Sequence, residues 1–288
     1  MQLGPVGLWA QQFRTAPRAE ALAAIGPVEQ LGFAAVWIPG GGTDEILDVA
    51  DELLAASERI VIASGILNIW MHDPAAVAAQ HQELNAEHDG RFLLGLGVSH
   101  ASIVEQNTAE AYRRPLAVMS AFLDGLDGAA APVPREERCL AALGPRMLEM
   151  ARDRSAGAHP YCITPEHTRF ARGVLGAGPL LAPELKAVLE TDAGRARAIA
   201  RAHLDRYLRQ PNYANNLVRL GYAADDLADA GTDQVVDDLV AWGSAADVAE
   251  RVAAHREAGA DHVCIQVLTE DPVAFPHREW EELAAVLC

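Results

Sequence analysis

The sequence predicts a closed (β/α)₈ barrel formed as a single domain over residues 1–288, with a helical insertion between its seventh and eighth strands. Three observations carry the prediction. Eight short apolar runs alternate with longer amphipathic stretches, and most of the runs are continuously apolar, as strands buried on both faces of a parallel sheet are. The chain of 288 residues has the usual size of one such barrel. No G-x-G-x-x-G follows the first strand, and Gly40-Gly41-Gly42 after the second is a weak substitute, so an open dinucleotide-binding sheet loses its main support.

The strands are expected at LGPVGLW (3–9), FAAVWIP (33–39), IVIASGILNIW (60–70), FLLGLGV (92–98), RCLAALG (138–144), AGAHPYCI (156–163), LLAPELKAVLE (180–190) and HVCIQVL (262–268). The segment 17–31 carries Leu22, Ile25, Val28 and Leu31 at helical spacing, and Gly32 stops it before strand two. After strand three, Asp73-Pro74 supplies an N-cap with Pro in the first turn, and Val77, His81 and Leu84 form one stripe. Ala129-Ala130-Ala131-Pro132-Val133-Pro134 reads as a loop before strand five. Between strands seven and eight, from about residue 191 to 258, the chain reads as several helices, DQVVDDLVAWG among them. A barrel needs only one helix there, and the extra helices are all expected in this insertion.

Composition narrows the classes of function. The 23 Lys and Arg against 40 Asp and Glu give a net charge of −17, a field that repels nucleic acid and anionic lipid. Basic residues occur singly or in pairs without interleaved aromatics. Cys139, Cys162, Cys264 and Cys288 form no C-x-x-C, so reduced thiols in a cytoplasmic protein are expected, with no metal site. No run approaches the ~18 apolar residues of a membrane span, and none reads as a secretory leader.

Strand one ending in GLW, GFAAVWIP, ASGILNIWMHDPAAVAAQHQELN, GRFLLGLGVSH and LGPRMLEMARDRSAGAHPYCITPEHT together resemble the bacterial luciferase-like superfamily. GPRMLEMA, GAHPYCITPEHT, PNYANNL and GADHVCIQVL resemble its coenzyme F420-dependent branch. The resemblance covers nearly the whole chain. It implies a deazaflavin ring at the C-terminal mouth of the barrel, supported by a strand-three bulge that commonly holds a non-prolyl cis peptide. Gly65, Ile66, Leu67 and Asn68 occupy that place, with Gly65-Ile66 the expected cis bond. A glycine inside a strand independently signals a bulge or close backbone approach.

The resemblance further implies that the phosphate-bearing tail is gripped after strands five and six, by Gly144-Pro145-Arg146 and by the Gly157-Ala158-His159-Pro160 loop, here Ala158, His159 and Pro160. A helix starting near Pro145 would aim its N-terminal dipole at the phosphate. Gly97, Val98 and Ser99 follow strand four at the mouth and lead to His100, the candidate catalytic acid or base; a structural histidine is the competing reading. Trp9 and Trp70 are candidate walls of the ring pocket. Many deazaflavin-dependent dehydrogenases of the superfamily carry a catalytic His just after strand two, where this chain has Gly40-Gly41-Gly42. The resemblance therefore implies an F420-dependent oxidoreductase working on a small organic substrate, with the reductive direction favoured. An FMN-dependent luciferase-like monooxygenase and a non-catalytic coenzyme-binding barrel are the alternatives. A homodimer is expected from the same resemblance.

Overall fold

A computed structural model describes residues 3–40, 45–108 and 111–288. The strands are β1 (Val6–Trp9), β2 (Ala35–Ile38), β3 (Val61–Ser64), β4 (Leu67–Asn68), β5 (Phe92–Gly97), β6 (Arg138–Leu140), β7 (Gly157–Ala158), β8 (Leu180–Leu181), β9 (Glu184–Val188), β10 (Val240–Trp242) and β11 (Val263–Val267). All their pairings are parallel, in the order β10-β9-β11-β1-β2-β3-β5-β6-β7-β8, with β4 on β5.

β8 and β9 are two halves of one extended run. On one side Ala182 N donates to Ala158 O (2.9 Å) and Glu184 N to Pro160 O (2.9 Å); on the other, Cys264 N donates to Pro183 O (3.0 Å). The run thus ties the sixth strand to the eighth, and the curled sheet closes on itself. β3 with β4 is the third barrel strand, β8 with β9 the seventh and β11 the eighth. All eight expected strands are present. Those of 138–144 and 156–163 are much shorter than their apolar runs; in the first, Ala141 N still donates to Leu96 O (2.8 Å), and Ala141, Ala142 and Leu143 go on to line a cavity.

Two expectations need correcting. The run DQVVDDLVAWG is a helix only over Asp233–Leu239, capped by the Thr232 hydroxyl, and its remainder is β10. β10 pairs with Lys186, Ala187 and Val188. The two-residue β7 is too short to reach that flank of β9, whose buried peptide groups need a partner. Nor are all the extra helices in the insertion: short helices at Gln12–Thr15 and Ala101–Asn107 follow β1 and β5.

The local signals hold where they were strongest. Asp73 accepts hydrogen bonds from Ala75 N and Ala76 N at the start of the helix Pro74–Glu87, which buries Val77, His81 and Leu84. The helix Arg18–Gln30 buries Ile25 and Val28. The insertion helices Ala193–Leu208 and Pro211–Arg219 bury Ala196, Ala200, Leu204, Tyr213 and Leu217 against Cys162, Val188 and Leu268 at the strand ends. That second apolar cluster seats the insertion over the C-terminal mouth. All four cysteines are free and three are buried. Among the described residues no helix is long and apolar enough to cross a membrane.

Candidate functional site

The third strand breaks where its sequence turns from VIAS to GILN. Ser64 is fully buried, and its hydroxyl both donates to Gly95 O and accepts from Gly95 N, each at 2.8 Å, so it replaces one rung of the ladder with side-chain bonds. The chain then steps inward at Gly65-Ile66, a non-prolyl cis peptide as expected. Gly65 N donates to Ile38 O (2.7 Å), and Trp9 Nε1 donates to Gly65 O (3.1 Å). Gly40 meets this step from strand two: a Cβ there would lie 2.0 Å from Ile66 O, a contact with backbone that no rotamer relieves. Glycine is therefore required at residue 40. Gly41 and Gly42 lie outside the described residues.

Above the step is a cavity of about 540 Å³. Gly65, Ile66 and Asn68 make its floor, Val98, Ser99 and His100 one wall, and Ala141, Leu143, Gly144 and Met147 the next. Trp9, His159 and Tyr161 close the barrel side, while Arg206, Tyr207, Gln210, Asn212 and Tyr213 of the insertion roof it. None of the described lining residues is Asp or Glu, in a chain of net charge −17.

Among the buried polar atoms of this lining, Asn68 Nδ2 and His159 Nε2 have no protein partner. His159 stacks on Trp37 at 4.2 Å, and its Nδ1 donates to Ala182 O at 2.7 Å, which fixes Nε2 as the acceptor. Burial pushes its pKa down to about 4, so the ring is neutral at pH 7. The floor thus offers one unused donor and one unused acceptor.

His100 stands at the mouth. Its Nδ1 donates to Asn212 Oδ1 (3.0 Å), and its ring lies 5.3 Å from that of Tyr213. Burial lowers its pKa, with the Asn212 bond opposing. Nε2 is therefore the basic nitrogen. Asn212 serves His100, and the helix boundary belongs to Gln210. Tyr213 holds its proton tightly, since burial raises its pKa well above 10.

One cluster is absent from the sequence reading. Lys186, the only lysine of the chain, is fully buried with Glu184, Nζ lying 2.8 Å from Oε2 and 3.1 Å from Oε1. Nζ also sits 3.9 Å above the centre of the Tyr161 ring. The Tyr161 hydroxyl donates to Gln266 Oε1 (2.6 Å) and accepts from the Tyr207 hydroxyl (3.0 Å). Together these groups hold the tyrosine wall. Glu184 and Lys186 inside the apolar stretch LLAPELKAVL were the available signal, since buried charges persist only in pairs.

At the strand-five end, the helix Pro145–Arg154 begins with Pro in its first turn and no side-chain cap. A Cβ at Gly144 would lie 3.8 Å from the Arg219 guanidinium, which also bonds Asn216 Oδ1 (3.1 Å).

Of the expected site residues, Trp9, Gly65, Ile66, Asn68, Val98, Ser99, His100, Gly144 and His159 meet in the one cavity. Leu67, Gly97, Ala158 and Pro160 are buried behind the lining, with Gly97 against the Ile66 side chain. Pro145 and Arg146 are exposed outside it. Trp70 is also behind the wall, its indole donating to Val98 O at 2.9 Å.

The sequence profile of the luciferase-like monooxygenase family matches residues 4–262. No curated protein sequence matches the chain. Among solved structures, an F420-dependent secondary alcohol dehydrogenase in complex with an F420-acetone adduct superposes with a TM-score of 0.75 at 14% identity, over 100% of this chain and 98% of that one. The coenzyme F420 dependent tetrahydromethanopterin reductase of Methanopyrus kandleri gives 0.75 at 15% identity, over 99% and 98%. The oxygenating constituent of 3,6-diketocamphane monooxygenase from Pseudomonas putida, in complex with FMN, gives 0.71 at 14%, over 99% and 97%. At these identities the likeness is one of fold.

Proposed function

The chain belongs to the luciferase-like monooxygenase family, and on that premise we propose that it is an F420-dependent oxidoreductase that reduces a small organic substrate in the cavity over Gly65-Ile66. The observation that carries the reading is the pair of buried, unpartnered atoms at that floor, Asn68 Nδ2 and His159 Nε2. A buried polar group left unpaired costs about 1–3 kcal/mol, and a flat heterocycle with a carbonyl acceptor and an N–H donor on one edge satisfies both.

The residues present fit such a ring. Gly65, Ile66 and Val98 would support it, Asn68 and His159 would bond its edge, and Gly144, the start of the helix Pro145–Arg154 and Arg219 would hold the phosphate. When bound, a reduced deazaflavin supplies a hydride. The protein's own part is to orient the acceptor, exclude water and manage one proton. Tyr213 keeps its O–H at neutral pH and would donate it as a hydrogen bond to the acceptor's oxygen, while neutral His100 would accept through Nε2 and orient the substrate. The reductive direction is supported by Gly40, where no side chain fits, so that no histidine can stand at this position after strand two.

The test is titration of the protein with F420 and with FMN, followed by absorbance and tryptophan fluorescence, then turnover of an enone panel with reduced F420 under nitrogen. Micromolar F420 binding and loss of reduced F420 are expected. Tighter FMN binding with turnover only in oxygen would identify a monooxygenase. Binding of F420 with no turnover of any enone or carbonyl acceptor would identify a coenzyme-binding barrel.

A further inference from the structure

A second cavity, of about 520 Å³, adjoins the first between the insertion helix Ala193–Leu208 and the end of β11. Gln11 and Arg206 line both cavities and form the partition between them. Arg206 is an exposed residue on a helix, and in this chain such arginines commonly face acids: Arg197 and Arg201, on the same helix, each bond Asp233. Arg206 has no carboxylate partner among the described residues. It touches the Tyr207 face, 4.8 Å from the ring centre, and His203 Nδ1 at 3.5 Å. That histidine is held neutral by burial and by the charges of Lys186 and Arg206 itself.

The first cavity therefore has a cation at each of two ends. Arg219 stands by Gly144, where a coenzyme phosphate would lie, and Arg206 stands at the partition with the second cavity. Arg14 lines the first cavity as well, although it also feels Glu45. Between the two ends no described lining residue is acidic. The Tyr207 ring beside Arg206 packs in turn against Tyr161 and Tyr213, with ring centres 5.2 and 5.5 Å away. A guanidinium with no carboxylate partner among the described residues, beside a tyrosine cluster, selects a flat, unsaturated group that carries a carboxylate.

We infer that the substrate is an aromatic or unsaturated organic carboxylate, with its carboxylate on Arg206 at the junction of the two cavities and its unsaturated part over the Gly65-Ile66 floor. This rests on the proposed function, because it assigns one cationic end to the coenzyme and the other to the substrate. The net charge of −17 works against nonspecific uptake of anions, so anion binding must come from local contacts.

The test is calorimetric binding of cinnamate and of its neutral methyl ester to the F420-loaded protein, repeated with Arg206→Gln and Arg206→Lys. Cinnamate should bind at least about tenfold more tightly than the ester, the worth of a charge-assisted pair. Arg206→Gln should remove that advantage and leave F420 affinity unchanged, whereas Arg206→Lys should keep part of it. Equal binding of acid and ester, or undiminished cinnamate binding by Arg206→Gln, would overturn the assignment. If Arg206→Gln weakens F420 and not cinnamate, the arginine holds the coenzyme and the assignment also fails. Absence of F420 binding by the unaltered protein would instead refute the proposed function, a result read before any cinnamate is added.

Discussion

At residue 40 the chain has room for one hydrogen and nothing more, because the Ile66 carbonyl lies 2.0 Å from where a Cβ would stand. Gly40→Ala must push strand two away from the floor, and overpacking of this kind costs about 1–3 kcal/mol. A lower urea midpoint is expected, together with weakened F420 binding; an unaltered midpoint and affinity would show that the floor does not depend on this contact. The roles of His100 and Tyr213 separate by kinetics. His100→Asn should reduce turnover roughly 10²-fold, with F420 affinity within a few-fold, because substrate orientation is lost without disturbing the floor. Since burial lowers the His100 pKa, its neutral form persists below pH 6.5, and kcat/KM should stay level as pH falls through that value. A limb falling at 6.5 would mean an unshifted, solvated ring. His100 was legible in the sequence from its place after strand four. Its neutral state was not, since that depends on Asn212 and Tyr213, more than 110 residues away.

At the scale of elements, β9 carries the chain's one lysine into the interior. Glu184 and Lys186 are two apart on the strand, so both point to the same face, and each is compensated by the other. Lys186→Met leaves the Glu184 carboxylate buried with only the Cys162 N–H and is expected to cost about 3–5 kcal/mol in urea unfolding. The double variant Glu184→Gln with Lys186→Met should recover most of that loss. No recovery would mean that Lys186 acts through the Tyr161 ring and not through the carboxylate. β10 belongs to the same story. Its apolar residues VAW continue a helical pattern in the sequence, and only the unpaired flank of β9 makes them a strand. Propensity is a weak prior where a neighbouring strand has peptide groups to satisfy.

At the scale of the whole molecule, five histidines, besides the partly buried His100 and His203, are fully buried and neutral. His81, His159, His167 and His262 are pushed down to about 4, and His255 to about 3, each chiefly by loss of solvent. Their unfolded values lie near 6.5. Between 6.5 and about 4 the unfolded chain binds protons that the folded one refuses, so these residues favour the fold above 6.5 and that advantage is lost as pH falls towards 4. Each adds roughly 1.4 kcal/mol per pH unit to the slope across that window. Urea midpoints should therefore fall steeply from pH 7 to pH 5, before most carboxylates titrate; a flat profile over that range would show that the rings are hydrated.

The order of the eight barrel strands was already present in the sequence, because continuous apolar runs, the Asp73-Pro74 cap and the Gly32 stop act over a few residues and need no distant partner. The place of the break at Gly65 was legible for the same reason. The family resemblance added the expectation of the mouth as the site and of the Gly65-Ile66 cis bond. Tertiary structure alone decided which of the marked residues share one cavity, why Leu67, Gly97, Ala158 and Pro160 stand behind it, and that Arg206 has no acid to pair with among the described residues. Those properties are sums over side chains brought together by barrel closure and by the insertion folding back over the mouth. Burial, charge balance and unpaired atoms exist only between segments that the linear chain keeps far apart.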